Sequence, residues 1–271
     1  MTIASNNSVV FLMGPTASGK TELALEIFDR FDVCLISVDS ALIYRGMDIG
    51  TAKPSPETLE NYPHELIDIC EPEESFSVNH FVNLAKEHID LALKENKLPV
   101  LVGGTSFYFH ALEHGLSELP ESTKDSRKHF NNLLKNKGSE KLHSQLVKID
   151  PKSAERIHPN DSQRITRALE VFHLSGQTLS ELQGNQAINK LNHQIKKIIL
   201  MPDRSELHLR IEKRFMKMME SGFLDEVEIL RNNKNLNLDL ASMRCVGYRQ
   251  AWKYFDGVYD KQEMIDKAVI A

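Results

Sequence analysis

Val9-Val10-Phe11-Leu12-Met13 runs directly into Gly14-Pro15-Thr16-Ala17-Ser18-Gly19-Lys20-Thr21, and a segment of helical periodicity, Thr21 to Phe31, follows at once. An apolar run, a glycine-bounded loop ending in Lys-Thr and then a helix are the strand, loop and helix context of a phosphate-binding loop. Two glycines at this spacing let backbone N–H groups turn inward around phosphate oxygens. Lys20 adds a point charge, and the Thr21 hydroxyl stands at the helix N-terminus, where it can ligate Mg²⁺. An ordinary glycine-rich turn has no need of the Lys-Thr pair.

Outward from this loop the same alternation repeats. Cys34 to Val38 and Pro99 to Val102 are short β-rich runs, and Val78 to Glu95 carries helical periodicity. Strands alternating with helices predict an α/β fold with a parallel, doubly wound sheet, a P-loop-containing core of nucleotide-kinase-like type. Each strand ends in polar or glycine-rich chemistry: the phosphate loop, Asp39-Ser40, and Gly103-Gly104-Thr105. Ligands of open α/β sheets bind beyond the carboxyl ends of the strands, so these three segments are expected to converge.

The formal net charge of −5 conceals a segregation. Residues 1–119 carry 7 Lys+Arg against 18 Asp+Glu, residues 120–200 carry 14 against 8, and residues 201–271 carry 12 against 12. A basic middle in an acidic chain is either a polyanion-binding surface or a solvated helical face. Cys34, Cys70 and Cys245 fit no disulfide or metal spacing, which points to a reducing compartment. With no leader-like N-terminus and no long apolar run, the expectation is a cytoplasmic protein without a membrane span.

From Leu119-Pro120 to about Asn192 the pattern turns helical with polar connections and no clear strand. Three segments follow: residues 1–119 as the first part of the core, 120–194 as a helical basic insertion domain, and 195–271 as the second part of the core. Asp161 or Ser162 caps a helix to about Ser175 with Gly176 as its stop; Arg164 and Arg167 share one face, and Ile165, Leu169 and Phe172 the apolar one. Gln183 to Gln194 reads as a mobile connection. Ile195 to Met201 is strand-like, so the core is discontinuous. A helix from about Glu206 to Glu220 carries Arg210, Lys213, Arg214 and Lys217 on one face, solvated unless that face turns toward the phosphate loop.

The chain resembles the tRNA dimethylallyltransferases, or tRNA isopentenyltransferases. GPTASGKT at Gly14 to Thr21, ISVDSALIYRGMDIGTAKP at Ile36 to Pro54, LVGGTSFYF at Leu101 to Phe109, RIHPNDSQRITRALEV at Arg156 to Val171 and RCVGYRQ at Arg244 to Gln250 are similar to that family's blocks, in its order. The resemblance implies transfer of a dimethylallyl group from dimethylallyl diphosphate to the N6 amine of the adenosine just 3′ of a tRNA anticodon. It also implies Mg²⁺ as cofactor, a monomeric enzyme, and no need for ATP as a substrate. A diphosphate leaving group uses the same loop that serves phosphoryl transfer.

By the same resemblance Gly14, Pro15, Thr16, Ala17, Ser18, Gly19, Lys20 and Thr21 hold the diphosphate, with Lys20, Thr21 and Asp39 as catalytic residues and Thr21 as the metal ligand. Asp39 accepts from the adenine amine or acts as its base; the alternative is a carboxylate supporting Mg²⁺. Contacts to tRNA are implied at Asp39, Ser40, Ala41, Leu42, Thr105 and Arg127, at Gln163, Arg164, Ile165, Thr166 and Arg167, and at Arg244, Cys245, Val246, Gly247, Tyr248 and Arg249. Thr105 also suits a helix N-cap. Arg210 and Arg214, one turn apart, are candidates to clamp the diphosphate from the opposite side.

The target base must leave its stack to reach Asp39, which a single-stranded loop permits at a cost of about a few kcal/mol. Phe107, Tyr108 and Phe109 read as packing, and His110 and His114 as structural. Family members continue beyond the equivalent of Ala271 through a basic segment resembling TRQLAKRQ, so the chain is expected to be C-terminally truncated. The competing readings are a P-loop small-molecule kinase, a prenyltransferase acting on free adenine nucleotides, and a noncatalytic RNA-binding NTPase.

Overall fold

The structure, a computed structural model, describes residues 7–184 and 188–271, which fall into two compact units: residues up to Glu113 together with Leu191–Ala271, and His114–Lys190. In the first unit the chain runs β1 (Ser8–Met13), α1 (Lys20–Arg30), β2 (Val33–Val38), α2 (Pro56–Asn61), β3 (His64–Glu65), α3 (Val78–Lys94), β4 (Leu98–Gly103) and α4 (Ser106–His114). After the second unit it returns as β5 (Gln194–Ile199), α10 (Arg204–Glu220), α11 (Phe223–Asn232), a 3-10 turn (Ser242–Arg244), α12 (Tyr248–Phe255) and α13 (Lys261–Ile270).

The five strands form one sheet in the order β3-β2-β4-β1-β5, every pair parallel. β4 lies between β1 and β2, with Met13 and Val38 both opposite Gly103, so three strand ends finish level with one another. This register brings the phosphate loop, Asp39 and Gly104-Thr105 to one edge. Leu12, Ala24, Leu35 and Val100 form the layer between the sheet and α1. On α4, Tyr108 stacks on Phe81 of α3 with centroids 4.2 Å apart, and Phe109 lies 4.9 Å from Phe11 of β1. Those two rings are packing, as expected, whereas Phe107 is exposed.

β5 pairs with β1 over its whole length, yet Ile198 and Ile199 are exposed, because the strand is the sheet's edge and is covered far less than β1. Phe215, Phe223, Val227, Met243 and Tyr248 of the returning segment pack with Ile43, Tyr44 and Met47, which join the Asp39 block to the C-terminal helices in one core.

The second unit contains α5 (Lys124–Lys137), α6 (Ser139–Ile149), α7 (Pro151–Arg156), α8 (Ser162–Ser175) and α9 (Leu179–Gly184). Asp161 caps α8 by accepting from Arg164 N–H, and Gly176 in the left-handed region ends it. Its apolar face is Ile165, Ala168, Leu169 and Val171 rather than Ile165, Leu169 and Phe172; Phe172 is only half-buried. Glu170 is buried too, held by Ser122, Ser126 and Arg167. Of the connection Gln183 to Gln194, Gln183 and Gly184 end α9, Leu116 and Ile188 form an antiparallel bridge, and residues 185–187 lie outside the described residues.

Candidate active site

The phosphate loop leaves β1 and enters α1 through two residues in the left-handed region, Ala17 at φ 60° and Gly19 at φ 91°. A non-glycine residue held there costs about 1 kcal/mol, and such strain gathers where backbone amides must be aimed. α1 has no side chain capping its N-terminus, so its first-turn N–H groups and the positive end of its dipole are presented to an anion. Lys20 Nζ donates to Pro15 O at 2.6 Å and to Ser18 Oγ at 3.3 Å, which holds the ammonium against the loop.

Around this loop the first unit encloses a cavity of about 1150 Å³. Its wall includes Thr16 to Glu22 of the loop and α1, Asp39 to Leu42 beyond β2, Gly103 to Thr105 beyond β4, Arg210 and Arg214 of α10, and Arg244 to Gly247. The segments that end β1, β2 and β4 thus meet at one cavity, as the strand order requires.

Asp39 Oδ1 accepts from Ala41 N–H at 2.8 Å and Leu42 N–H at 3.4 Å, which orients the carboxylate. Thr105 directly precedes α4, its carbonyl accepting from Tyr108 N–H at 3.0 Å and Phe109 N–H at 3.4 Å, while its Oγ1 accepts from Ser40 N–H at 3.1 Å, because the level strand ends bring it against the Asp39 turn. Burial pulls the Lys20 ammonium below its ordinary value, with Asp39 opposing and Arg214 adding to the shift. Burial likewise lowers Arg214, and Asp39 opposes. Lys20, Asp39, Arg210 and Arg214 line the same cavity, so the basic face of α10 turns toward the loop rather than only to solvent. Arg210 Nη1 donates to Ala17 O at 3.5 Å and Nη2 to Glu206 at 2.6 Å, and Arg214 Nη2 donates to Thr51 O at 3.1 Å. Lys213 and Lys217 of the same helix are exposed.

Within the Arg244–Arg249 block the residues divide. Arg244, Cys245, Val246 and Gly247 line the cavity, Arg249 is exposed outside it, and Tyr248 is fully buried with its hydroxyl on Glu226 at 2.5 Å. Burial and the charge of Asp39 push the Cys245 thiol up to about 12, so it is neutral and no nucleophile. In the second unit Arg127, Gln163 and Arg164 are exposed, while Ile165 is core. Arg167 turns inward to Glu170, Ser122 and Pro120 O, so it does not share the exposed face of Arg164.

Three further residues matter that sequence reading passed over. Ser37 Oγ is buried in the cavity wall with no hydrogen-bond partner among the described residues. Lys53 Nζ donates to Tyr44 O, Asp48 and Asp68 at 2.7, 2.6 and 2.5 Å, tying together the chain that follows Asp39. Glu226 gathers the amides of residues 48–50. Ser37 and Lys53 lie inside the Ile36–Pro54 block, which is the one signal the sequence offers for them; the contacts of Glu226 with the amides of residues 48–50 span more than 170 residues.

No group of three or more His, Cys, Asp or Glu able to hold a metal occurs among the described residues. The Thr21 hydroxyl near the N-terminus of α1 and the orphaned Ser37 hydroxyl line the same cavity, a donor set that suits Mg²⁺, which keeps waters and takes substrate phosphate oxygens. No helix among the described residues is long and apolar enough to cross a membrane.

The IPP transferase family model matches residues 42–271. The tRNA dimethylallyltransferase of Ruthia magnifica subsp. Calyptogena magnifica is 64% identical over 271 residues, all of this chain and 88% of that protein. That of Vesicomyosocius okutanii subsp. Calyptogena okutanii is 62% identical with the same coverage. Among solved structures, the tRNA isopentenylpyrophosphate transferase of Bacillus halodurans is 36% identical with a TM-score of 0.68, over 97% of this chain and 82% of that one. A eukaryotic dimethylallyltransferase acting on tRNA, 23% identical over 97% of this chain and 66% of that one, shares the fold with a TM-score of 0.78. The chain belongs to the IPP transferase family and is an enzyme of the tRNA dimethylallyltransferase type.

Proposed function

We propose that the chain transfers the dimethylallyl group of dimethylallyl diphosphate to N6 of the adenosine 3′-adjacent to the anticodon of tRNA. The observation that carries the residue roles is the meeting of Asp39 with the phosphate loop, Arg210 and Arg214 at one cavity. In the reaction the C1–O bond of the donor breaks, diphosphate leaves with the bonding electrons, and N6 of adenine bonds to C1. The N6 proton that is released passes to the Asp39 carboxylate.

The loop amides, the α1 N-terminus and Lys20 take the charge that grows on the bridging and terminal oxygens, with Lys20 exchanging Pro15 O for phosphate oxygen. Arg210 and Arg214 approach from the α10 side and close the cationic shell. Mg²⁺, when bound, supplies further positive charge to the diphosphate, and Thr21 would hold it, with Ser37 facing the same cavity. Asp39, held by two backbone amides, keeps its carboxylate directed for the adenine amine.

The second unit serves RNA through exposed Arg127, Gln163 and Arg164, with Ile165 and Arg167 building the helix that displays them. Arg244, beside the cavity, suits a phosphate of the extruded nucleotide. Titration calorimetry with dimethylallyl diphosphate and Mg²⁺, followed by diphosphate release on adding an anticodon stem-loop, tests the assignment. The proposal expects donor binding that ATP does not outcompete and release that depends on the RNA. Tight ATP binding with no donor binding contradicts it.

A further inference from the structure

The Glu226 carboxylate of α11 receives four hydrogen bonds. Asp48 and Ile49 N–H donate to Oε2 at 2.9 and 2.7 Å; Gly50 N–H and the Tyr248 hydroxyl donate to Oε1 at 3.1 and 2.5 Å. Three successive amides converging on one anion form a nest, and here the chain supplies the anion itself. Gly50 lies against the rings of Phe223 and Tyr248, where an added Cβ would stand 2.6 Å from Tyr248 and still closer to Phe223. The loop is thus held from one side by charge and from the other by shape.

Thr51 comes next in the chain, and its carbonyl accepts from Arg214 Nη2 at 3.1 Å. Gly50, Thr51, Ala52 and Pro54 also line the cavity that contains the phosphate loop. A continuous series of contacts therefore runs from Tyr248 through Glu226 and the amides of residues 48–50 to Thr51 O and the Arg214 guanidinium. The Thr51 carbonyl is the hydrogen-bond acceptor of the Arg214 guanidinium, and the groups before it in the series hold the adjoining residues 48–50.

We infer that Glu226 is a positioning residue for donor binding: it fixes the Thr51 carbonyl, and through it the direction in which Arg214 presents its guanidinium to the diphosphate. The inference rests on the role proposed above for Arg214. A guanidinium held in place loses less rotamer freedom when the anion arrives, which is the source of the gain in affinity.

The test compares Glu226→Gln, which keeps the shape but removes the charge, with Tyr248→Phe, which removes one donor and keeps the ring. Each is made alone and with Arg214→Ala, and donor dissociation constants are measured by calorimetry alongside hydrogen exchange at residues 48–50. Glu226→Gln is expected to weaken donor binding about tenfold, the loss carried by one hydrogen bond to a charged group, to speed exchange at those amides, and to leave the KM for RNA unmoved. Tyr248→Phe shifts donor affinity in the same direction, and remains the decisive variant where Glu226→Gln fails to fold. Both effects are expected to vanish in the Arg214→Ala background, because coupled residues are non-additive. Losses that add to that of Arg214→Ala, or normal donor affinity in both single variants, overturn the inference. An unchanged donor affinity in Arg214→Ala itself instead removes the role proposed for Arg214.

Discussion

Ser40 N–H donates to Thr105 Oγ1 at 3.1 Å, a bond across 65 residues that fastens the turn after β2 to the turn after β4. Asp39 precedes the donor directly, so this bond restrains the backbone that aims its carboxylate. Thr105→Ser retains the hydroxyl and is expected to keep most activity. Thr105→Val removes the acceptor while keeping the volume, and costs about 1 kcal/mol of stability. It lowers kcat more than donor affinity, which steady-state kinetics with calorimetry checks.

Asp39→Asn separates the two roles open to this carboxylate. As proton acceptor and partner of the amine, Asp39 acts on the RNA side, so the variant is expected to bind donor normally and to lose about 10²-fold or more in kcat. Joint loss of turnover and of Mg²⁺-dependent donor affinity assigns it to the metal instead.

The Lys53 side chain is 4% exposed and joins Asp48, Asp68 and the Tyr44 carbonyl. Lys53→Met strands two carboxylates near each other. Since Asp48 and Asp68 keep 59% and 41% exposure, water offsets part of the loss, and about 2 kcal/mol is expected rather than the larger cost of a fully buried pair. Denaturant midpoints measure it.

In the second unit Asp150 and Glu170 are buried, and burial alone would raise both carboxyls. Hydrogen bonds from Ser153 and Ser180 to Asp150, and from Ser122, Ser126 and Arg167 to Glu170, outweigh it and leave both below their ordinary values. Depressed carboxylates stabilise above their unfolded values, near pH 4, and that contribution fades as pH falls through the lower folded values. Chemical denaturation from pH 6 to pH 3 is expected to show acid loss of stability in the wild type. A smaller pH dependence is expected in Glu170→Gln, whose loss is already present at pH 6.

Much of this arrangement was legible in the chain. The apolar runs ending at Met13, Val38 and Val102 placed the three strands whose ends meet, and the Asp161 cap and Gly176 stop bounded α8. These features are local, so local rules suffice. β3 escaped notice because two residues, His64 and Glu65, present no alternation to read. Arg167 departs from the exposed face of Arg164 because spacing alone does not reveal the buried Glu170, which draws the guanidinium inward. Ser37 and Glu226 acquire meaning only from partners, or a missing partner, set by tertiary packing.

Prenyl transfer to RNA is read out by mass spectrometry of the RNA product. The protein is incubated with Mg²⁺, dimethylallyl diphosphate and an anticodon stem-loop bearing adenosine 3′ of the anticodon. One five-carbon prenyl unit is expected on that adenosine, gained about 10²-fold or more slowly in Asp39→Asn. An RNA of unchanged mass, under conditions where calorimetry shows both donor and RNA bound, would contradict it.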